Sequence, residues 1–286
     1  MIGVAGCGRM GAPMLTALIH AGFDARGFDI RPVNEFAEIA NHMMLEPTVF
    51  AADLDTLITV VRDIDQTEDV LFGRQGFARA ANLKTIIISS TLSPRYVLSL
   101  RDRIPDHITL IDAPMSGAAI AAQEARLSFM LGGKDVDLDR AQPLFDAMGK
   151  HFHRMGAYGA GMQAKVLNNL LAASNTAMTR LVLDWADVAG LNEQALLDLI
   201  HTSSGQNWFA SGFNQIEFAR DGLENDNTIA ILVKDVESAL DAAPMGADTS
   251  LPNTVQGAIR ALMPRNSRSV SRQPGSKGFK ELPGSV

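Results

Sequence analysis

Short apolar runs and longer stretches of helical periodicity alternate along the first half of the chain. Each apolar run ends in polar or glycine-rich sequence, which is the pattern of a buried strand in a parallel sheet. Because this alternation is typical of βαβ units, we predict a doubly wound parallel sheet. The predicted strands are 2–6, 23–28, 57–61, 85–89, 108–111, 127–131 and 151–154, and the predicted helices between them include 12–21 and 135–148.

The second half of the chain has helical patterns in place of strands. The first is a proline-free run from Gly161 to Ala189, followed by Gly190, a residue suited to the position after a helix. Such a helix spans roughly 40 Å at about 1.5 Å per residue, enough to hold two domains together. Further helices are predicted over 192–201 and 228–243. The predicted fold class is therefore α/β, a parallel sheet followed by an all-α C-terminal domain.

These patterns divide the chain into three parts. Residues 1–158 form the predicted sheet domain, and residues 159–263 form the predicted helical domain. Residues 264–286 are rich in Pro, Ser, Gly and Arg and contain few large apolar side chains. Because such a segment buries too little apolar surface to offset its conformational entropy, we predict a disordered tail there.

The composition excludes several classes of function. A net charge of −7 argues against nucleic acid as the main partner, because phosphate binding needs a basic surface. No apolar run reaches the roughly eighteen residues of a membrane span, and no signal-peptide cleavage region follows the N-terminal strand. The single cysteine, Cys7, rules out a disulfide within the chain and favours a reducing, cytoplasmic location. Since no metal-ligand spacing occurs, we predict no metal site.

A glycine-rich turn follows the first predicted strand. Gly6, Gly8 and Gly11 fit the spacing G-x-G-x-x-G, and a helical pattern begins directly after them. In such a turn the first glycine permits the tight bend, the second lets a pyrophosphate approach, and the third allows close packing of helix on strand. The helix N-terminus then offers free N–H groups and its dipole to the phosphates. The position of the turn between a strand and a helix predicts a Rossmann-type dinucleotide site.

Polar side chains lie at the ends of other predicted strands. Asp29 ends the second strand, about twenty residues after the glycines, where a carboxylate binds the ribose hydroxyl of NAD and repels the phosphate of NADP. Arg31 is able to bind that phosphate, so we predict NAD and leave NADP open. Thr91 and Ser116 follow two further strands, at the edge where ligands bind in sheets of this type.

Lys165 and Asn169 are four residues apart near the start of the long helix, so they share one of its faces. Taken alone, the pair fits a surface lysine and a capping asparagine. It also fits chemistry, because oxidation of an alcohol requires a group that takes the hydroxyl proton and polarises the oxygen. A lysine serves if burial beside a cationic nicotinamide lowers its pKa.

With these motifs in order, the chain resembles the β-hydroxyacid dehydrogenases, the family that includes 3-hydroxyisobutyrate and 6-phosphogluconate dehydrogenases. The resemblance covers residues 1 to about 262, and Ser203 to Gly205 with Trp208 and Asn214 is most similar to the 3-hydroxyisobutyrate branch. The matching segments are G-x-G-x-M-G at 6–11, S-T-x-x-P at 90–94, D-A-P-x-S-G at 112–117, G-x-G-x-x-x-K-x-x-N-N at 159–169 and K-D at 234–235.

The resemblance implies an NAD(P)-dependent enzyme that interconverts a small 3-hydroxy acid and its semialdehyde. Lys165 would be the catalytic acid and base, while Ser116, Gly117 and Asn169 would hold the carboxylate and hydroxyl of the substrate. It also implies a homodimer or homotetramer formed through the helical domain. Further implied contacts are Ala118 and Trp208 to the substrate, and Arg9, Met10, Val61, Thr91 and Lys234 to the cofactor, with Lys234 also touching the substrate.

Two departures from the family pattern bear on the substrate. Ala118 and Ile120 stand where the family has a glycine-rich run, which predicts a narrower substrate alcove. The family's final helix is replaced by the arginine-rich sequence 265–286. Arg126 would be a second anion contact or, as we favour, a surface residue. The alternatives are a tartronate semialdehyde reductase, an imine-reductase-like enzyme, which Lys165 argues against, and a catalytically idle dinucleotide-binding module.

Overall fold

The computed structural model describes residues 1–225 and 227–266 as an α/β domain followed by a helical region. The sheet of the first domain has the strand order β3-β2-β1-β4-β5-β6-β8-β7, and β9 pairs with β8. The strands are β1 (Ile2–Ala5), β2 (Ala25–Phe28), β3 (Met43–Met44), β4 (Thr56–Thr59), β5 (Thr85–Ile88), β6 (Thr109–Asp112), β7 (Met115–Ser116), β8 (Leu127–Gly132) and β9 (Gly149–Gly156).

The prediction of a doubly wound sheet is confirmed for β1 to β6, which are parallel throughout. At one end the sheet departs from the parallel arrangement, because β8 runs antiparallel to both β6 and β7. Apolar periodicity reports which residues are buried and carries no information on strand direction. The carboxyl ends of β1, β2, β4, β5 and β6 still meet at one edge of the sheet, which places the residues that follow them together.

Helices cover both faces of the sheet. Neighbouring residues of one strand point to opposite faces, so Ile58 lies in the apolar cluster under α1 and α6, while Leu57 lies in the cluster that contains Phe50 and Phe77. The helices of this domain are α1 (Gly11–His20), α2 (Pro47–Ala52), α3 (Ile64–Leu71), α4 (Pro94–Ser99), α5 (Ala119–Gln123) and α6 (Asp135–Met148), with 3-10 segments at Val33–His42, Phe77–Arg79 and Leu100–Asp102.

The helical region is built around α7, which runs over Ala160–Val188 as predicted. Two smaller cores form on it, one with Val236 and Ile259 and the other with Leu197 and Phe209. Among the described residues, no helix is both long and apolar enough to span a membrane. The remaining helices are α8 (Glu193–Thr202), α9 (Trp208–Ser211), α10 (Thr228–Asp241) and α11 (Ser250–Arg260).

The C-terminal boundary of the helical region lies later than predicted. Arg265 was assigned to the tail, yet its side chain is only 7% exposed and pairs with Asp184 at 2.6 Å, Asp187 at 2.8 Å and Glu193 at 2.7 Å. Local composition predicts a tail here, because the acidic partners of Arg265 are far away in the sequence and leave no trace in the residues around it. Residues 267–286 of the predicted tail lie outside the described residues.

Candidate active site

The three glycines of the turn have different surroundings. A Cβ atom on Gly6 would lie 2.7 Å from the carbonyl oxygen of Val60, and Gly6 has a φ of +92°. A Cβ atom on Gly11 would lie 1.8 Å from the carbonyl oxygen of Gly6, whereas one on Gly8 would meet nothing within 4 Å. Gly6 and Gly11 are therefore required by backbone packing, while Gly8 leaves open space where a phosphate group fits.

The N-terminus of α1 is free to bind an anion. No side chain caps it, and its first turn contains no acidic residue. Pro13 lies in that first turn and has no N–H group. At this position an N–H group would have no partner within the helix, so the proline removes no helical hydrogen bond. The N of Ala12 donates to the carbonyl oxygen of Gly8 at 3.1 Å; the N–H groups at this end that have no such partner, together with the helix dipole, suit the pyrophosphate of a dinucleotide. The residues present thus fit the predicted cofactor.

Asp29 follows β2 and binds the glycine turn. Its Oδ2 accepts a hydrogen bond from the backbone N of Cys7 at 2.8 Å, and its Oδ1 accepts one from Nε of Arg31 at 3.0 Å. Burial raises the pKa of Asp29, but hydrogen bonds from the side chain and backbone of Arg31 and from Cys7 outweigh it, so the pKa is lowered overall. The structure therefore brings an ionised Asp29 and its arginine partner together at the adenosine end of the predicted site.

Lys165 and Asn169 lie on one face of α7 and are each only 8% exposed, so they are not a surface lysine and a helix cap. No described residue accepts a hydrogen bond from Nζ of Lys165. Burial lowers the pKa of this amine; the negative charge of Asp235 opposes the shift, and the positive charge of Lys234 adds to it. A buried amine with a lowered pKa is suited to proton transfer.

A polar network surrounds this face of α7. Asn169 donates a hydrogen bond from Nδ2 to Oδ2 of Asp235 at 2.6 Å, and Nζ of Lys234 lies 3.0 Å from Oδ1 of the same carboxylate. Nζ of Lys234 also donates to the carbonyl oxygen of Thr91 at 2.8 Å. The network thus joins α7, α10 and the turn after β5. The sequence predicts a role for Lys234 of the K-D pair and none for Asp235, although the Asp235 carboxylate touches both Asn169 and Lys234.

Asp112 fixes the start of α7 against the sheet. It ends β6, is fully buried, and accepts hydrogen bonds from the backbone N of Gly159 at 2.6 Å and of Met162 at 2.5 Å. Burial raises the pKa of Asp112, and these backbone donors offset part of the shift. A Cβ atom on Gly161 would lie 2.4 Å from the carbonyl oxygen of Met130, so this glycine allows the helix to approach the sheet. No role for Asp112 is predicted from the sequence, because its donors lie 47 and 50 residues away.

The predicted substrate loop begins at the end of β7. Ser116 is half-buried, and Gly117 has a φ of +127°, a conformation that favours glycine. The side chain of Ile120 is 53% exposed, and Ala118 is exposed as well, so both extra side chains lie at the surface of the loop. Arg126 pairs with Glu124 at the surface, as favoured from the sequence.

Three other predicted cofactor contacts lie in or next to the glycine turn. Val61 lies against the glycine turn, since a Cβ atom on Gly6 would come within 2.8 Å of its side chain. Met10 packs on the apolar cluster under α1. Arg9 is exposed and pairs with Glu217 of the helical region at 2.9 Å.

Trp208 lies away from Lys165. It begins α9 and packs against Phe218, with ring centroids 6.4 Å apart. The preceding residue, Asn207, contacts Thr179, fourteen residues beyond Lys165 on α7. Fourteen residues correspond to about 21 Å along a helix. Within this chain Trp208 therefore does not lie close to Lys165, so its position does not support the predicted contact with the substrate.

A dinucleotide-binding turn at the carboxyl edge of the sheet, together with a buried lysine and asparagine on α7, is typical of an NAD(P)-dependent oxidoreductase. Residues 1–158 match the family model described as the NAD binding domain of 6-phosphogluconate dehydrogenase. Residues 159–270 match the NAD-binding region of NADP-dependent 3-hydroxyisobutyrate dehydrogenase. The chain belongs to the β-hydroxyacid dehydrogenase family. Its activity is accordingly the oxidation of hydroxy acids, or the reverse reduction, with NAD(P).

The relatives that share 30% identity or more over most of both chains include two enzymes and one solved structure. L-threonate dehydrogenase of Cupriavidus necator is 32% identical, covering 85% of this chain and 83% of that protein. 2-hydroxy-3-oxopropionate reductase of Escherichia coli is 31% identical, covering 88% and 87%. The structure of Mycobacterium tuberculosis 3-hydroxyisobutyrate dehydrogenase with L-serine is 30% identical and superposes with a TM-score of 0.76, covering 90% and 91%.

Proposed function

We propose that the protein interconverts a small 3-hydroxy acid of the 3-hydroxyisobutyrate type and its semialdehyde. The observation that carries this proposal is the buried amine of Lys165, which lies beside Asn169 and has a lowered pKa. When bound, the nicotinamide ring accepts the hydride during oxidation and returns it during reduction. Lys165 takes the hydroxyl proton in oxidation and donates it to the carbonyl oxygen in reduction.

Asn169 and the loop after β7 orient the substrate. The bond from Asn169 to Asp235 uses one amide hydrogen, which fixes the amide and leaves the second for the reacting oxygen. The hydroxyl group of Ser116 and the backbone N–H of Gly117 form a cradle for the substrate carboxylate. Ser116 and Gly117 lie at the carboxyl edge of the sheet. A cradle there favours a compact acid with its carboxylate close to the reacting carbon.

We propose NAD as the preferred cofactor. The lowered pKa of Asp29 keeps its carboxylate charged, and that charge disfavours the additional phosphate of NADP. Arg31 is already paired with Asp29 and Glu35 and therefore offers a smaller net positive charge to a phosphate. The fixed, charged carboxylate supports the choice of NAD.

Steady-state turnover tests both proposals. The wild type is assayed at the nicotinamide absorbance with NAD and with NADP, against 3-hydroxyisobutyrate, 3-hydroxypropionate, glycerate and L-threonate. We expect the highest kcat/KM with NAD and one of the first two acids. A preference for glycerate would favour 2-hydroxy-3-oxopropionate reduction, as in the similar Escherichia coli enzyme. Cofactor binding without turnover of any acid or its aldehyde would contradict the proposal.

Two charged neighbours should shift the pH dependence of oxidation in opposite directions. Oxidation needs the neutral amine of Lys165, so its rate falls as the pH drops through the pKa of that group. Asp235→Asn removes a negative charge that stabilises the ammonium form, which moves this limb to lower pH. Lys234→Met removes a positive charge and moves the limb to higher pH. Profiles of kcat/KM against pH for the three proteins measure both shifts, and shifts of the same sign would exclude Lys165 as the titrating group.

We also propose that the protein self-associates through α7. An apolar stripe runs along the exposed side of this helix with residues three or four positions apart, interrupted by Ser174. In a solitary chain such a stripe would be left in water, and its spacing suits packing against a second helix. The exposed members of the stripe are Leu167, Leu171, Met178, Leu181, Trp185 and Val188.

A charge in the middle of this stripe should separate the copies. Met178→Glu places a carboxylate where two copies would bury methionine, so we expect the mass of one chain by light scattering, against a dimer or tetramer for the wild type. Val136→Glu is the matched control, because Val136 is equally exposed but lies on α6. A wild type with the mass of one chain would contradict the proposal.

A cytoplasmic location agrees with the chemistry of Cys7. The single thiol is buried, and burial together with the charge of Asp29 raises its pKa to about 12. A thiol in that state is neither reactive nor able to form a disulfide within the chain. The protein therefore gains nothing from an oxidising compartment, which supports the cytoplasm as its location.

A further inference from the structure

An ion pair joins the glycine turn to the helical region. Nη2 of Arg9 lies 2.9 Å from Oε2 of Glu217. Arg9 directly follows Gly8, whose open side is suited to a phosphate, and Glu217 lies in the segment between α9 and α10. The pair therefore spans from one domain to the other beside the position where the pyrophosphate of the cofactor fits.

The segment that carries Glu217 is anchored on both sides. Phe213 is buried in the core of the helical region. Arg220 covers the ring of Phe213 at 4.8 Å and pairs with Glu193 at 2.6 Å. Between them the backbone forms a turn, in which the N of Ala219 donates to the carbonyl oxygen of Ile216 at 3.0 Å. Glu217 therefore stays beside the glycine turn even when Arg9 leaves it.

We propose that Glu217 competes with the pyrophosphate of the cofactor for Arg9, and so weakens cofactor binding and speeds cofactor release. The side chains of Arg9 and Glu217 are 66% and 76% exposed, so water screens their attraction and the pair exchanges readily. A pyrophosphate brings two negative charges to the same turn. Once Arg9 has turned to it, the carboxylate of Glu217 remains close to those charges and repels them.

This inference rests on the proposed function, because it requires that the turn binds a dinucleotide. Its test is the dissociation constant of NADH, measured by fluorescence titration. Glu217→Gln should lower that constant about two- to fivefold, the range expected for an exposed ion pair. Stopped-flow displacement should show a slower NADH release. Glu224→Gln is the matched control, since Glu224 is an exposed acid of the same segment and no described residue donates a hydrogen bond to its side chain.

Two further measurements separate competition from a general charge effect. The gain in Glu217→Gln should shrink between about 50 and about 500 mM NaCl, because salt screens exposed charges. The gain in affinity should also shrink in an Arg9→Gln background, because the guanidinium group for which Glu217 and the pyrophosphate compete is then absent. Unchanged or weaker binding of NADH by Glu217→Gln would overturn the inference; weaker binding would show that the pair closes over the bound cofactor.

Failure of the inference and failure of the proposed function give different results. If the wild type binds and turns over while Glu217→Gln and Glu224→Gln have equal affinities for NADH, only the role of Glu217 is wrong. If the wild type binds neither NADH nor NADPH, the proposed function is wrong and the inference falls with it.

Discussion

Lys165→Met is expected to lower kcat about a hundred- to ten-thousandfold, the range that a positioned general acid and base contributes. Methionine keeps most of the apolar stem of the side chain and removes the amine, so α7 should stay folded. Lys165 is not in the glycine turn, and the dissociation constant of NADH should therefore change little. The measurement is single-turnover oxidation of the best acid substrate, together with titration of NADH.

The pH profile supplies a second criterion for Lys165. Because its pKa is lowered, the neutral amine is present at a lower pH than in an exposed lysine. The residual activity of Lys165→Met should lose the rise of kcat/KM with pH that the wild type shows. Lys150→Met is the control, since Lys150 is exposed on β9. A variant that keeps both its rate and the wild-type profile would show that another group moves the proton.

Asp112→Ala is expected to lower the free energy of unfolding by about 2–5 kcal/mol. The change leaves the backbone N–H groups of Gly159 and Met162 without an acceptor in a buried junction, at about 1–3 kcal/mol for each unsatisfied donor. Urea denaturation followed by circular dichroism measures the loss, with the slope on urea concentration used to check that unfolding remains cooperative.

Two other variants separate this effect from a general loss of charge. Asp106→Ala removes an exposed carboxylate shortly before β6 and should change stability by at most about 0.5 kcal/mol. Asp112→Asn keeps one acceptor oxygen and should fall between the wild type and Asp112→Ala. Equal stabilities for Asp112→Ala and Asp106→Ala would show that the junction draws its strength from packing and not from this carboxylate.

The strands and the long helices could be predicted because apolar periodicity records burial, and burial decided their structure. Several missed helices share one cause, a proline in the first turn. Pro47, Pro94 and Pro252 lie in the first turns of α2, α4 and α11, where a proline is tolerated because its missing N–H would have no partner within the helix. β7 has two residues and is too short to show any period.

The site was predictable where one segment contains the whole arrangement. Lys165 and Asn169 lie on the same helix, and four residues suffice to show that they share a face. Asp235 accepts a hydrogen bond from a residue 66 positions away in the sequence, and Asp112 from residues 47 or more positions away. Nothing in the sequence close to either aspartate indicates these donors. Arg265 was placed in a tail for the same reason. Contacts between distant segments are the part of the site that local patterns do not contain.

The junction at Asp112 has a consequence for exchanging parts between relatives. Two family models meet between residues 158 and 159, which suggests a natural place to join halves of different enzymes. The carboxylate lies in the first half, whereas its donors, Gly159 and Met162, lie in the second. A chimera joined there inherits the acceptor carboxylate from one parent and its backbone donors from the other. The start of α7, and with it Lys165, keeps its position against the sheet only if the first parent supplies the aspartate and the second supplies the donors and a glycine at position 161.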